Sequence, residues 1–354
     1  MNSKIIENSL IENLVKNFRR SPIQKNKVHE SDAELIELAG FNYLFAITLD
    51  TLVEEIESGL YSDPFLIGWM AVMVNMSDLA AVGAQPLGIV LNETINSELD
   101  KSFIHNLQAG IEDACIACNT FVLGGDTNFS DKISVGGCAI GLVSKEKTLT
   151  RMGAKPGDVL FATGKFGLGN AYAFHKLSAK TFYNHNHAND KFISSNKICY
   201  KPFARLKEGA LIKNFASCCM DTSDGFLSTL DQLMRLNNVG FQIDINVEEL
   251  INTDATDLFN SYNLSSLLLL AGIHGKFELL FTIPQSAVED YLNAASEAGH
   301  TPIRIGKAFS KQKILLNVRN DIQEIDTERV RNLFSECKHD IPRYLYELNL
   351  LLNK

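Results

Sequence analysis

The sequence predicts a two-domain protein of mixed α/β character (α+β / α/β), and three observations carry that expectation. Its 354 residues exceed what one core usually organises, since domains hold roughly 100–200 residues each. Short apolar, strand-like runs alternate with longer helix-like runs from Tyr43 onward. A turn-rich segment, TRMGAKPGD at residues 150–158, interrupts that alternation, and the boundary falls just before it, near Glu146, giving units 1–146 and 147–354.

Taken in order, Ile5, Ile6, Leu10, Ile11, Leu14, Val15 and Phe18 recur at near-helical spacing and predict a helix docked on the body or on a partner subunit. YLFAITL (residues 43–49) reads as a buried strand that delivers Asp50 and Thr51 at its end. After Pro64, FLIGWMAVMVNMSDLAAVGA is helical, apolar nearly all round, and punctuated by Gly83. Asn75, Ser77 and Asp78 inside this run, and the absence of Lys or Arg anchors at its ends, make it a core helix and not a membrane span. A strand at 89–91, a helix at 103–118, a strand at 120–123 leading into Gly124-Gly125-Asp126-Thr127, and a strand at 133–143 complete the first unit.

The second unit opens in an α/β pattern with a strand in VLFATG, a glycine-bearing loop KFGLG and a helix at 170–177. Residues 183–190, YNHNHAND, read as an exposed loop in which His185 and His187 are solvated rather than metal-bound. Asp221 to Gly225 opens a further helix; FQIDI and FELLFTI are strand-like, residues 285–298 are helical, and a charged helix after Asp326 precedes LYELNLLL.

A formal net charge of -9, with basic residues scattered apart from Arg19-Arg20 and Lys25-Lys27, points away from nucleic acid as a partner. The interrupted, acidic start of the chain carries neither a signal peptide nor a presequence, and seven cysteines lying mostly in apolar segments fit a reducing, cytoplasmic setting. Cys115 and Cys118 form a C-x-x-C, but they share a helical face with Leu107, Ile111 and Ala114 and have no second ligand pair, so they read as core residues.

The chemistry centres on aspartates. Asp78 is the only ordinarily ionised side chain between Asp63 and Glu93, and a carboxylate in an apolar run persists if it is protonated, paired, hydrogen-bonded or bound to a cation; helix capping is the alternative. Asp50, Asp126, Asp221 and Asp224 stand at expected junctions of strands, loops and helices, where sites are commonly built. Several separated carboxylates suit a magnesium–nucleotide site better than a soft-metal one, although Asp221 and Asp224 would also serve as ordinary caps. Gly164, Gly167 and Gly169 fit either a phosphate-approaching loop or a simple turn, since neither usual nucleotide fingerprint is present.

LDTLVE (49–54), NMSDLAAVGAQP (75–86), GGDT (124–127), RMGAKPGD (151–158), DTSDGF (221–226) and FELLFTIP (277–284) stand in an order that resembles the thiamine-monophosphate kinases of the aminoimidazole ribonucleotide synthetase-like (PurM-like) superfamily. The resemblance spans about Asp32 to Pro284. It implies a homodimer whose N-terminal domains form a shared barrel, each followed by an α/β domain, with ATP and Mg2+ as cofactors and a small-molecule acceptor. It implies transfer of the γ-phosphoryl group of ATP to thiamine monophosphate. The expected metal ligands are Asp32, Asp50, Asp78, Asp126 and Asp221. Asn75, Gly124, Gly125, Thr127, Ser223 and Asp224 are expected at the nucleotide, and Asp126, Asp221 and Arg151 at the transferred phosphate.

The chain also departs from the family pattern, at a metal-site carboxylate and on the acceptor side. Glu30-Ser31-Asp32-Ala33 replaces a G-D-D-A-like sequence, Ala271 to Lys276 replaces a segment with two acidic residues, LVEEIESG lacks the usual histidine and phenylalanine, and the aromatic C-terminal ending is missing. These departures keep two alternatives open: an ATP-dependent ligase or cyclase of the same superfamily, and a silent nucleotide-binding paralogue.

Overall fold

The computed structural model describes residues 5–178 and 198–352. The stretch with His185 and His187 lies outside them.

Strands β1 (Glu34–Glu37), β2 (Tyr43–Leu52), β3 (Gln85–Ile95), β4 (Val122–Phe129) and β5 (Ser134–Ser144) form one sheet in the order β1-β2-β5-β3-β4. Neighbours pair antiparallel except β3 and β4, which run parallel and are joined through helix α4 (Lys101–Ala117). Helix α3 (Pro64–Ala81), which follows α1 (Ile6–Val15) and the single turn α2 (Glu54–Glu57), packs between this sheet, α4 and the rest of the molecule. Asp63 caps it by accepting from the Phe65 amide, Pro64 occupies its first turn, and Gly83 turns the chain away with φ +70°. By length and composition α3 could cross a membrane, but 78% of it is buried inside the protein, as the all-round apolar pattern requires of a core helix.

Two glycines set how closely α3 and α4 approach. A Cβ at Gly68 would lie 2.0 Å from the Leu107 carbonyl oxygen, and one at Gly110 would lie 2.0 Å from that of Phe65. Gly110→Ala therefore forces the helices apart, and chemical denaturation is expected to show a loss of about 1–3 kcal/mol or more. Wild-type stability in this variant would contradict the packing.

The second sheet contains β6 (Val159–Ala162), β7 (Cys218–Asp221), β8 (Gly240–Asn246), β9 (Leu279–Ile283), β10 (Ile303–Phe309), β11 (Ile314–Val318) and β12 (Asp321–Ile325), in the order β12-β11-β8-β10-β6-β9-β7. Only the β8–β11 pair is parallel, so the α/β pattern expected from VLFATG onward resolves into a mostly antiparallel sheet. Around it lie α5 (Leu168–Leu177), α6 (Leu206–Ile212), α7 (Phe226–Asn237), α8 (Thr253–Ser261), α9 (Leu268–Ala271), α10 (Val288–Glu297), α11 (Thr327–Glu336) and α12 (Ile341–Leu352). Helix α6 sits so tightly on α3 that a Cβ at Gly209 would come within 2.1 Å of the Ala80 carbonyl oxygen. α3 thus joins the two sheets.

Two expected junctions are strand interiors. β2 continues through Leu52, with Asp50 paired to Gly137 of β5, and Gly124 to Thr127 lie within β4, paired along β3. Ladder pairing with one neighbouring strand, β5 for Asp50 and β3 for Gly124 to Thr127, overrides the poor strand propensity of glycine and aspartate.

Candidate active site

Asp78 enters from the last turns of α3, Asp221 ends β7, and Asp32 lies just ahead of β1. One carboxylate oxygen from each falls within 4.8 Å of the other two. Thr48 Oγ1 donates to Asp78, and Ser77 Oγ donates to Asp221 Oδ2 at 2.6 Å, so adjacent residues of α3 reach both aspartates. Ser223 Oγ donates to Asp221 Oδ1 at 2.9 Å, fixing the DTSDG turn to the same carboxylate. Arg151 Nη2 meets Asp32 Oδ1 at 3.0 Å.

Burial first, then repulsion from Asp221, Asp50 and Asp32, raises the Asp78 carboxyl well above its ordinary range. Burial followed by Asp32 does the same to Asp221. For Arg151, burial works against the charge, but the attraction of Asp32, with smaller help from Asp221 and Asp78, outweighs it and holds the guanidinium protonated. Three carboxylates against one guanidinium leave the cluster short of positive charge.

These residues fit a divalent cation. Asp32 Oδ2 is buried without a hydrogen-bond partner, as are Ser31 Oγ and Arg151 Nε beside it. Opposed ligands of octahedral magnesium stand about 4.2 Å apart, so small side-chain adjustments would close the triad around an ion. No other group of three or more metal-ligating side chains occurs among the described residues. Cys115 and Cys118 are buried free thiols pushed up to about 11 and about 12, chiefly by burial, in keeping with a core role.

Of the triad, Asp78 lines a cleft of ≈ 670 Å³, a volume that includes the open space at its mouth. Asp78, Asp50, Ser223 and Asp224 line one part of it, and Glu55, Tyr61, Tyr200, His274 and Phe277 the other. Asp50 reaches solvent, yet the protein packed around it, then Asp224 and Glu55, raise its carboxyl. Asn75 is buried beside the cleft: its side-chain amide accepts from the Asp50 amide at 3.0 Å and donates to the carbonyls of Ala71 and Asp50, pinning β2 to α3.

Asp126 lies apart from the triad. Gly124, Gly125, Asp126 and Thr127 belong to the wholly exposed edge strand β4, where Asp126 accepts from Asn128 Nδ2 at 2.8 Å. Reading the sequence missed Thr48 and Ser77. Their signal was there, since Thr48 precedes Asp50 by one strand period and Ser77 adjoins Asp78.

His274 carries a pH dependence. Burial pushes its imidazole down to about 4. Its unfolded value is about 6.5, so only the unfolded chain takes the proton in between, and folding stability falls as pH drops through that window. The stability of His274→Gln relative to wild type is expected to rise steadily from pH 7 to pH 4 in thermal scans; a constant difference would contradict the buried neutral state.

The class that fold and site define is the AIR synthase related one: the family "AIR synthase related protein, N-terminal domain" is matched by residues 30–143, which hold the first sheet, Asp32 and Asp78. Within that class, the chain belongs to the thiamine-monophosphate kinase family. It is 30% identical over 296 residues to the thiamine-monophosphate kinase of Buchnera aphidicola subsp. Schizaphis graminum, covering 82% of this chain and 86% of that protein. It is 31% identical over 258 residues to the enzyme of Archaeoglobus fulgidus, covering 72% and 78%. In fold it resembles AaThiL complexed with AMPPCP and TMP, with a TM-score of 0.69 at 21% identity over 89% of this chain and 96% of the other. It also resembles the hydrogenase maturation protein HypE in complex with ATP, with a TM-score of 0.63 at 16% identity over 89% and 93%.

Proposed function

We propose that this protein transfers the γ-phosphoryl group of ATP to thiamine monophosphate, giving thiamine diphosphate, with magnesium held by Asp32, Asp78 and Asp221. The buried triad, which reaches the cleft through Asp78, carries this reading, together with the chain's kinship to the thiamine-monophosphate kinases of Buchnera and Archaeoglobus and its likeness to a structure holding AMPPCP and TMP. Bound there, the cation would neutralise phosphate oxygens and bridge them to the protein.

The chain's own groups do the rest. Ser77 and Ser223 fix Asp221, Thr48 fixes Asp78, and Arg151 holds Asp32. The cleft lining contains no cysteine, and direct transfer needs positioning rather than a protein nucleophile. γ-Labelled ATP mixed with enzyme and no acceptor should therefore leave the protein unlabelled; a labelled phosphoenzyme would replace direct transfer with a two-step route.

The working unit in this reading is a cytoplasmic homodimer, each chain dividing near Glu146 into units 1–146 and 147–354. The exposed face of the first sheet supports it: Leu49, Val90 and Leu123 are 68%, 40% and 56% exposed, and the open edge of β4 lies alongside them. A second copy covering this face would bury those side chains and enclose Asp126 and Thr127 between subunits, giving them access to nucleotide that they lack in one chain.

A further inference from the structure

A buried ion pair stands outside both the triad and the cleft lining. The side chain of Glu278, the residue ahead of β9, is fully buried, and Arg205 grips it at two points: Nε donates to Oε2 at 2.8 Å and Nη2 to Oε1 at 2.6 Å. Thr163 Oγ1 donates to Oε2 at 2.6 Å, and Lys276 Nζ stands 3.4 Å from Oε1. Desolvating two charges offsets most of their attraction, so such a pair is a weak source of stability. Its planar, two-point grip instead fixes the geometry between the segments it joins.

Those segments are the supports of two different triad aspartates. Arg205 begins α6, and α6 packs through Gly209 against Ala80 of α3, just beyond Asp78 on the same helix. Glu278 leads into β9, which pairs with β7 so that Leu279 lies opposite Asp221. The chain around Glu278 also clasps the DTSDG turn. Thr222 Oγ1 donates to the Glu278 carbonyl at 3.0 Å, and the Gly275 amide donates to the Ser223 carbonyl at 2.7 Å. Between these two clasps Phe277 sits at φ +60°, a left-handed backbone that a bulky aromatic residue keeps only where its surroundings enforce it. The strain marks a segment whose position is held from several sides.

We propose that Arg205 and Glu278 are positioning residues for the metal site: the pair ties the support of Asp78 to the support of Asp221 and so fixes the spacing of two ligands around the divalent cation. The inference rests on the reading that the triad holds magnesium. Magnesium demands near-ideal octahedral geometry, so a small shift of one support against the other weakens its binding. Among the described residues Arg205 bonds to Glu278 and Glu208 and to no triad aspartate, so its influence on the metal passes through Glu278 and the segment behind it.

The test uses full-length Arg205→Ala and Arg205→Lys, with free manganese as a paramagnetic substitute for magnesium at an oxygen-ligand site. Manganese is titrated by electron paramagnetic resonance at a temperature where circular dichroism shows each variant folded. The dissociation constant is expected to rise about three- to tenfold in Arg205→Ala, less than the roughly 10–100-fold usual when a group bonded directly to a metal ligand is removed. Arg205→Lys keeps the charge but loses the two-point grip, so it should fall between Arg205→Ala and wild type, and it carries the test alone if Arg205→Ala does not fold. The magnesium concentration for half-maximal formation of thiamine diphosphate should rise by the same factors. A lower Tm with wild-type manganese affinity would make the pair structural only and overturn the proposal while the kinase reading stands. Wild type that binds no manganese would overturn it as well. If wild type binds manganese yet forms no thiamine diphosphate, the kinase reading fails, and the manganese affinities decide the pair separately: weaker binding in the variants upholds it, and equal binding overturns it.

Discussion

Asp78→Asn is expected to lower kcat by about 10³-fold or more while making the metal-free protein more stable. The amide keeps the shape of the side chain and an oxygen to accept from Thr48, but removes one of three carboxylates crowded within 4.8 Å. Loss of about 4 kcal/mol of charge stabilisation at the transferred phosphate corresponds to that rate. The native state of the variant no longer holds Asp78 against Asp221, Asp50 and Asp32, the repulsion that raises its carboxyl. Relief of about 1 kcal/mol would lift Tm by about 1–2 °C in a chain of this size. Magnesium should then stabilise the wild type more than the variant. Activity within tenfold of wild type, or a lower Tm without metal, would separate Asp78 from the site.

The second large effect is on stability. In Arg151→Met the Asp32 side chain, fully buried and paired with Arg151 at 3.0 Å, loses its cation. Breaking a buried pair from one side costs about 3–5 kcal/mol because the remaining charge stays desolvated. Magnesium binding to the native state should restore part of this loss, since a ligand of the folded form stabilises by mass action. Urea unfolding with and without magnesium chloride reads both quantities. A loss that magnesium leaves untouched would mean that Arg151 supports packing rather than the charge balance of the triad.

Much of this site is legible in the sequence because its strongest signals are local. One carboxylate in a long apolar run marks Asp78, and Pro64 and Gly83 bracket its helix. The turn DTSDG keeps Asp221 and Ser223 together wherever it is placed. What local pattern cannot supply is the pairing of distant segments. Arg151 and Asp32 are 119 residues apart, and Ser77 meets Asp221 across 144. Gly-Gly before Asp126 suggests a junction at the end of a strand, whereas parallel pairing with β3 carries an exposed edge strand straight through it. Strands β10 to β12 escaped notice because their apolar runs are short, broken by Arg304 and Lys307 in β10 and by acidic and amide residues in β12, and they hold together through neighbours across the sheet.

The central claim is that the Asp32–Asp78–Asp221 cluster supports metal-dependent phosphoryl transfer to thiamine monophosphate. Tracing the γ-phosphate of labelled ATP in purified wild type, with magnesium present or chelated, tests it most directly. Label in thiamine diphosphate only when magnesium is present is the predicted result. Label released as inorganic phosphate with none in thiamine diphosphate, or transfer that persists under chelation, would contradict it.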